Sequence, residues 1–161
     1  DWSSDVCSSD LLKMLMPATV KSHLRMLSEE KVMSTQNVFD IIFPGIKTRR
    51  AAELFVRILH KSNGIATKNS VSEFANNIQI GIILENGELF RYSRRNFYMT
   101  VLRTLIDMGF IQKNVPVWDE KRNKTLYVYS RNIFDIPNKP PTVGFWRISY
   151  YICKKWNRLF L

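Results

Sequence analysis

Residues 93–129 read SRRNFYMTVLRTLIDMGFIQKNVPVWDEKRNKTLYVY, a helical pattern that gives way to an alternating one. At about 100° per residue, Phe97, Tyr98, Val101, Leu102, Leu105 and Met108 fall on one side of a helical cylinder. Arg95, Asn96, Thr100, Arg103, Thr104 and Asp107 fall on the other. Ser93 has the side chain of an N-cap, and Gly109 stands where a left-handed residue ends a helix, so the spacing predicts a helix over 93–108. Beyond Gly109, Ile111, Val115 and Val117 are set against Gln112, Asn114 and Pro116. Leu126 and Val128 are likewise set against Tyr127 and Tyr129. These are two strands of a hairpin. Pro116 lacks the N–H that a central strand needs and places its strand at an edge. The polar tip is Asp119-Glu120-Lys121-Arg122-Asn123-Lys124.

A helix with a basic, hydrogen-bonding outer face followed by a hairpin with a basic tip resembles the second half of a winged helix-turn-helix domain of the kind found in archaeal-type transcription regulators. Upstream residues extend the pattern over about 48–130. Thr48 to Lys61 reads as a helix with Ala52, Phe55, Ile58 and Leu59 inward and Asn63-Gly64 as its stop. Ser70-Val71-Ser72-Glu73 has the form of a capping box, so a second helix is expected from about Val71 with Phe74, Ile78 and Ile82 on its buried side. Lys68 and Asn69 lie beside that N-terminus, where a phosphate could dock, although plain capping explains them as well. The segment 81–92, GIILENGELFRY, is longer than the usual turn between the paired helices. It reads either as a small hairpin around Asn86-Gly87 or as a continuation of the second helix followed by a loop.

The flanks are distinct. Residues 1–11, DWSSDVCSSDL, resemble a translated sequencing adapter and are set aside, the other reading being a disordered acidic tail. Residues 12–47 form an N-terminal helix and arm. A helix is expected over about Ala18 to Lys31, with Val20, Leu24 and Leu27 as its stripe. Met33-Ser34-Thr35-Gln36 has the form of a native start. Val38 to Phe43 is an apolar run closed by Pro44-Gly45 and should be buried either as a short strand or as a packing arm. After the domain at 48–132, residues 133–142 carry three prolines and read as an extended linker. Residues 143–161 form an amphipathic helix with Phe145, Trp146, Ile148, Ile152, Trp156, Leu159 and Phe160 on one side and Arg147, Lys154, Lys155 and Arg158 on the other. Its apolar side is expected to dock on the domain or on the same helix of a second copy as a homodimer, with contact to a membrane surface as the lesser alternative. The expected fold is mainly α with a small antiparallel β-hairpin, an α+β winged helix-turn-helix bearing an N-terminal helix and a C-terminal amphipathic helix.

Charge narrows the function. The chain carries 24 Lys and Arg against 14 Asp and Glu, a net of +10; without Asp1, Asp5 and Asp10 the balance is 24 against 11, or +13. Such an excess suits a polyanion, either nucleic acid or an anionic membrane surface, with solubility as the plain alternative. Cys153 is the one cysteine outside residues 1–11, so neither a disulfide framework nor a cysteine metal site is expected. His23 and His60 have no ligand partners at metal spacing. The six glycines never cluster into a phosphate loop. The close acidic pairs Glu29-Glu30, Glu85/Glu88 and Asp119-Glu120 sit in helix ends or turns. Neither catalysis nor a cofactor is therefore expected. With neither a signal peptide nor a long apolar span, the expected location is the cytoplasm.

What remains is a partner of double-stranded DNA. Arg95, Asn96, Thr100 and Arg103, with Thr104, are of the types that bond base edges in a major groove. Lys121, Arg122 and Lys124 at the wing tip, Lys113 at the wing base, and Arg94, Arg91 and Arg49 around the helix ends are candidates for backbone phosphates. A module for protein assembly, with the C-terminal helix as its interface, is the alternative reading of the same fold.

Overall fold

The computed structural model describes residues 28–142 and 144–161, the side chains of 144–146 excepted. The expectations for residues 1–27, and for Phe145 and Trp146, lie outside them. The first described helix, α1 (Glu29–Ser34), begins at Ser28, whose backbone is extended and whose Oγ accepts from the Lys31 amide at 3.1 Å. The helix expected over about Ala18 to Lys31 therefore does not pass unbroken through Ser28, which is a better cap than an interior residue. The apolar run that follows is a short helix, α2 (Val38–Ile42), and not a strand. Asn37 Oδ1 accepts from the Phe39 amide at 2.9 Å and sets the first turn. Val38, Phe39, Ile41, Ile42 and Phe43 are all buried, as the run's composition requires.

Helix α3 (Ile46–Lys61) starts earlier than Thr48, directly after Pro44-Gly45. Its buried stripe is Ala51, Ala52, Phe55, Val56 and Leu59. Ile58, expected in the core, is 38% exposed because it sits about 100° around the helix from Leu59. At the helix end Asn63 and Gly64 take positive φ (58° and 81°), and the Gly64 amide returns to the Leu59 carbonyl at 2.7 Å. The chain then enters a strand that the sequence pattern did not indicate, β1 (Ile65–Ala66). Helix α4 (Lys68–Ile80) follows at once, capped by Thr67, whose Oγ1 accepts from the Ser70 amide at 3.1 Å. The capping box expected at Ser70 and Glu73 is therefore not used. Leaving β1, the chain meets Thr67 first, and Ser70 becomes an interior residue of the first turn. Val71, Phe74, Ala75 and Ile78 form the buried side, and Ile82 is half-buried beyond the helix end.

Of the two readings of 81–92, the hairpin is the one adopted. Strands β2 (Ile82–Ile83) and β3 (Leu89–Phe90) pair antiparallel around Asn86-Gly87, with Gly87 at φ 85°. Helix α5 spans 94–107 and is capped by Ser93, whose Oγ accepts from the Asn96 amide at 3.2 Å. Its middle, Phe97–Leu102, is π-helical, between α-helical ends at Arg94–Asn96 and Arg103–Asp107. Gly109, at φ 79°, ends it, and the Phe110 amide reaches back to the Leu105 carbonyl at 2.9 Å. The hairpin is β4 (Ile111–Asp119) and β5 (Lys124–Arg131). The sheet order is β1-β5-β4, so β4 with Pro116 is an edge, as the missing N–H demands. A bulge between Gln112 and Val115 is centred on Asn114 at φ 58°.

One hydrophobic core joins these elements, from Val32 in α1 to Trp156 near the C-terminus. Three rings, Phe55, Phe74 and Phe97, meet with centroids 5.1 to 5.5 Å apart and lock α3, α4 and α5 together. The proline-rich segment expected to be a linker is pinned. Phe134 exchanges two hydrogen bonds with the Asn157 side chain, at 3.0 and 2.9 Å. The last helix, α6 (Gly144–Arg158), docks on its own domain through Ile152, Cys153 and Trp156. Lys155, expected on the solvent side, is 7% exposed, because α1 covers that flank and the Met33 carbonyl accepts from its Nζ at 3.4 Å. Arg147 of α6 pairs with Glu29 of α1. The described residues thus form a largely helical α+β fold with two small antiparallel sheets.

Candidate nucleic-acid interface

The outer face of α5 gathers most of the residues singled out on it. Arg95, Asn96, Thr100 and Arg103 are exposed, and with Met99 they form one continuous stripe at helical spacing. Met99 went unnoticed in the sequence because a lone methionine away from the apolar stripe carries no periodic signal. Arg103 Nε lies 3.7 Å from Asp107, one turn on, a surface pair that biases the guanidinium without removing it from solvent.

One member expected on that face, Thr104, and one phosphate candidate at the helix start, Arg94, are engaged elsewhere. Thr104 is 8% exposed and belongs to the buried side. The π-helical turn before it carries more residues per turn, so the buried stripe downstream runs Val101, Thr104, Leu105 and Met108. Arg94 is folded back against α4. Its Nη1 donates to the Ser72 carbonyl at 3.0 Å and to Asn76 Oδ1 at 2.6 Å, and its Nη2 to Ser72 Oγ at 3.2 Å. Its guanidinium lies 5.0 Å from the centre of the Tyr98 ring, and its amide donates to Gln79 Oε1 at 3.1 Å. Arg94 therefore fixes the angle between α4 and α5. Arg91 and Arg49 are engaged in the same manner, Arg91 with the Ile80 carbonyl at 3.1 Å and Arg49 with the Phe43 and Pro44 carbonyls and Asp40.

On the hairpin, Lys113 is exposed beside the bulge, and Lys121, Arg122 and Lys124 are exposed at the tip. The tip is organised by Asp119. Its Oδ1 accepts from the Lys121 amide at 3.1 Å and its Oδ2 is 3.7 Å from Arg122 Nε, while Asn123 closes the turn at φ 51°. With Asp119 and Glu120 set against Lys121, Arg122 and Lys124, the tip keeps a net charge of +1. A cleft of about 440 Å³ lies between the start of α4 and the hairpin, with Thr67, Lys68, Asn69, Arg122, Thr125 and Tyr127 among its lining.

A feature missed in the sequence lies on the outer face of the same hairpin. Trp118 is 57% and Tyr127 55% exposed. Pro116 pairs with Tyr127 and Trp118 with Thr125, so the two aromatics share one face, opposite Val115, Val117, Leu126 and Val128. The alternation that placed the valines inward already implied this.

Other chemistry is sparse. Burial pushes the Cys153 thiol up to about 12, which leaves it unreactive at neutral pH. Among the described residues no three His, Cys, Asp or Glu side chains gather as a metal site, and no helix is long and apolar enough to cross a membrane. Comparison with protein-family models, with curated proteins and with solved structures finds no match.

Proposed function

We propose that residues 46–131 form a winged helix-turn-helix domain that binds double-stranded DNA, with α5 in the major groove, the β4–β5 wing on the flanking backbone, and regulation of transcription as its role. The observation that carries the reading is the exposed stripe Arg95, Asn96, Thr100 and Arg103 on a helix whose opposite side is locked into the core. Arginine reads guanine and asparagine reads adenine through paired hydrogen bonds, and these side chains emerge along one line of a rigid element. The order helix, strand, helix, helix, hairpin, with β1 paired to β5, supports the fold assignment. The β2–β3 hairpin is an insertion between the paired helices and makes the approach of α5 particular to this chain. The charge of +10 supports a polyanionic partner. Because α6 is covered by its own chain, the reading does not lean on it as an interface.

The test is titration of duplex DNA at several salt concentrations, together with selection of bound sequences from a random duplex pool. Affinity should fall steeply with salt, and Lys121→Ala or Lys124→Ala should lower the salt slope by about one each. Arg95→Ala and Arg103→Ala should each cost about 1–3 kcal/mol on a selected sequence and relax its specificity. Absence of duplex binding at low salt, or an affinity indifferent to the double substitution, defeats the proposal.

A further inference from the structure

We propose that the outer face of the β4–β5 hairpin is a second nucleic-acid subsite that takes unpaired bases, with Trp118 and Tyr127 as the stacking platform and Lys68 and Arg122 as the backbone contacts; this rests on the DNA-binding reading above. A strand face turned to water is ordinarily polar, and the inward face here already holds the hairpin's aliphatic residues, Val115, Val117, Leu126 and Val128. Two large aromatics left on the outward face are thus not core residues displaced by a register slip. They sit diagonally on adjacent strands, with only Pro116 and Thr125 as their cross-strand partners. Small neighbours on both sides leave each ring open to an incoming flat group.

The surroundings choose the occupant. The hairpin that carries the rings also carries exposed Lys113, Lys121 and Arg122 beside a single exposed acid, Glu120, while Asp119 engages Arg122 and the Lys121 amide. Tyr127 and Thr125 also line, with Asp119 and Arg122, the cleft of about 440 Å³ whose far side carries Lys68 and Asn69. Aromatic rings beside cations, one of them at a cleft that also holds Lys68, match a single strand, whose bases offer flat faces and whose phosphates offer charge. Paired bases present only their edges and cannot stack on such a surface. A purely apolar partner would leave the cations without counter-charge. The subsite therefore favours DNA that is frayed or unpaired beside the duplex engaged by α5.

The experiment compares binding of the full chain to a blunt duplex and to the same duplex carrying a thymidine tail of about ten nucleotides, a length within the range that one binding module covers. The tail should tighten binding by about tenfold. Trp118→Ala and Tyr127→Ala should each remove most of that gain while leaving blunt-duplex affinity and the melting temperature unchanged, and Trp118→Phe should retain it. A tail that adds nothing while the blunt duplex still binds overturns this proposal and leaves the DNA-binding reading standing. Failure to bind either DNA removes both. Self-association that Trp118→Ala abolishes, with no gain from the tail, would give the face to a second copy and likewise overturn the proposal.

Discussion

The indole of Trp156 lies flat on the ring of Phe110, with centroids 4.5 Å apart and planes 11° from parallel. Phe39 meets the same indole edge-on at 6.4 Å, and Nε1 donates to the Asn132 carbonyl at 2.7 Å. The contact ties the end of the chain to the corner where α5 turns into β4. Trp156→Ala should destabilise the fold by about 3–5 kcal/mol, the usual cost of emptying so large a buried site. Trp156→Phe should recover most of the loss and forfeit the hydrogen bond. Urea unfolding curves measure both. A loss below about 1 kcal/mol for the alanine variant would show that α6 is not docked in solution.

Neighbouring arginines on α5 should behave in opposite ways. Arg94→Ala removes hydrogen bonds to Ser72 and Asn76 and a cation–π contact with Tyr98, and should lower stability by about 1–3 kcal/mol. Arg95→Ala, on an exposed side chain, should leave stability within about 0.5 kcal/mol and act on DNA affinity alone. Thermal melts paired with duplex titrations separate the two. Equal stabilities for the two variants would contradict the inward placement of Arg94.

Two glycines with similar backbones should differ in their tolerance of alanine. Gly64 and Gly87 both have positive φ, 81° and 85°, so either substitution incurs about 1 kcal/mol of left-handed strain. A Cβ on Gly87 meets open space, whereas one on Gly64 would collide with the side chain of Arg131. Gly64 also pairs through its carbonyl with the Arg131 amide at 2.8 Å, the contact that starts the β1–β5 ladder. Gly64→Ala should therefore cost well over the strain alone. Comparison of urea midpoints for the two variants checks the difference.

Lys155 should give the alkaline pH dependence. Its pKa lies below the ordinary 10.5 because burial disfavours the charge, with Arg158 and Lys154 adding repulsion. The unfolded chain holds this proton more tightly than the folded one, so stability rises as pH climbs from the folded pKa towards 10.5. Tyr129 acts in the opposite sense. Its pKa is raised above 10.0 by burial and by Tyr98, so the stability it contributes is present below pH 10.0 and is lost at higher pH. Lys155→Met should flatten the rise below pH 10.5. Denaturation midpoints from pH 7 to 10 test it, and an unchanged slope in the variant would refute the assignment.

How much of this was written along the chain follows from the range of each interaction. Helix α5, its Ser93 cap, its Gly109 stop and the β4–β5 hairpin are set by residues within a few positions of one another, and the sequence determined them by itself, whereas it left 81–92 open between a hairpin and a longer α4. The same holds for the exposed stripe Arg95, Asn96, Thr100 and Arg103, since helical spacing alone brings those side chains together. Strand β1 was illegible because two residues acquire a strand only by pairing, and the partner of Ala66 is the distant Tyr129. Arg94, Thr104 and Lys155 are placed by what packs against them: α4 captures the first, the π-helical turn rotates the second inward, and α1 covers the third. A helical wheel states which residues share a side, whereas which sides are covered depends on neighbouring elements, and that only the tertiary structure decided.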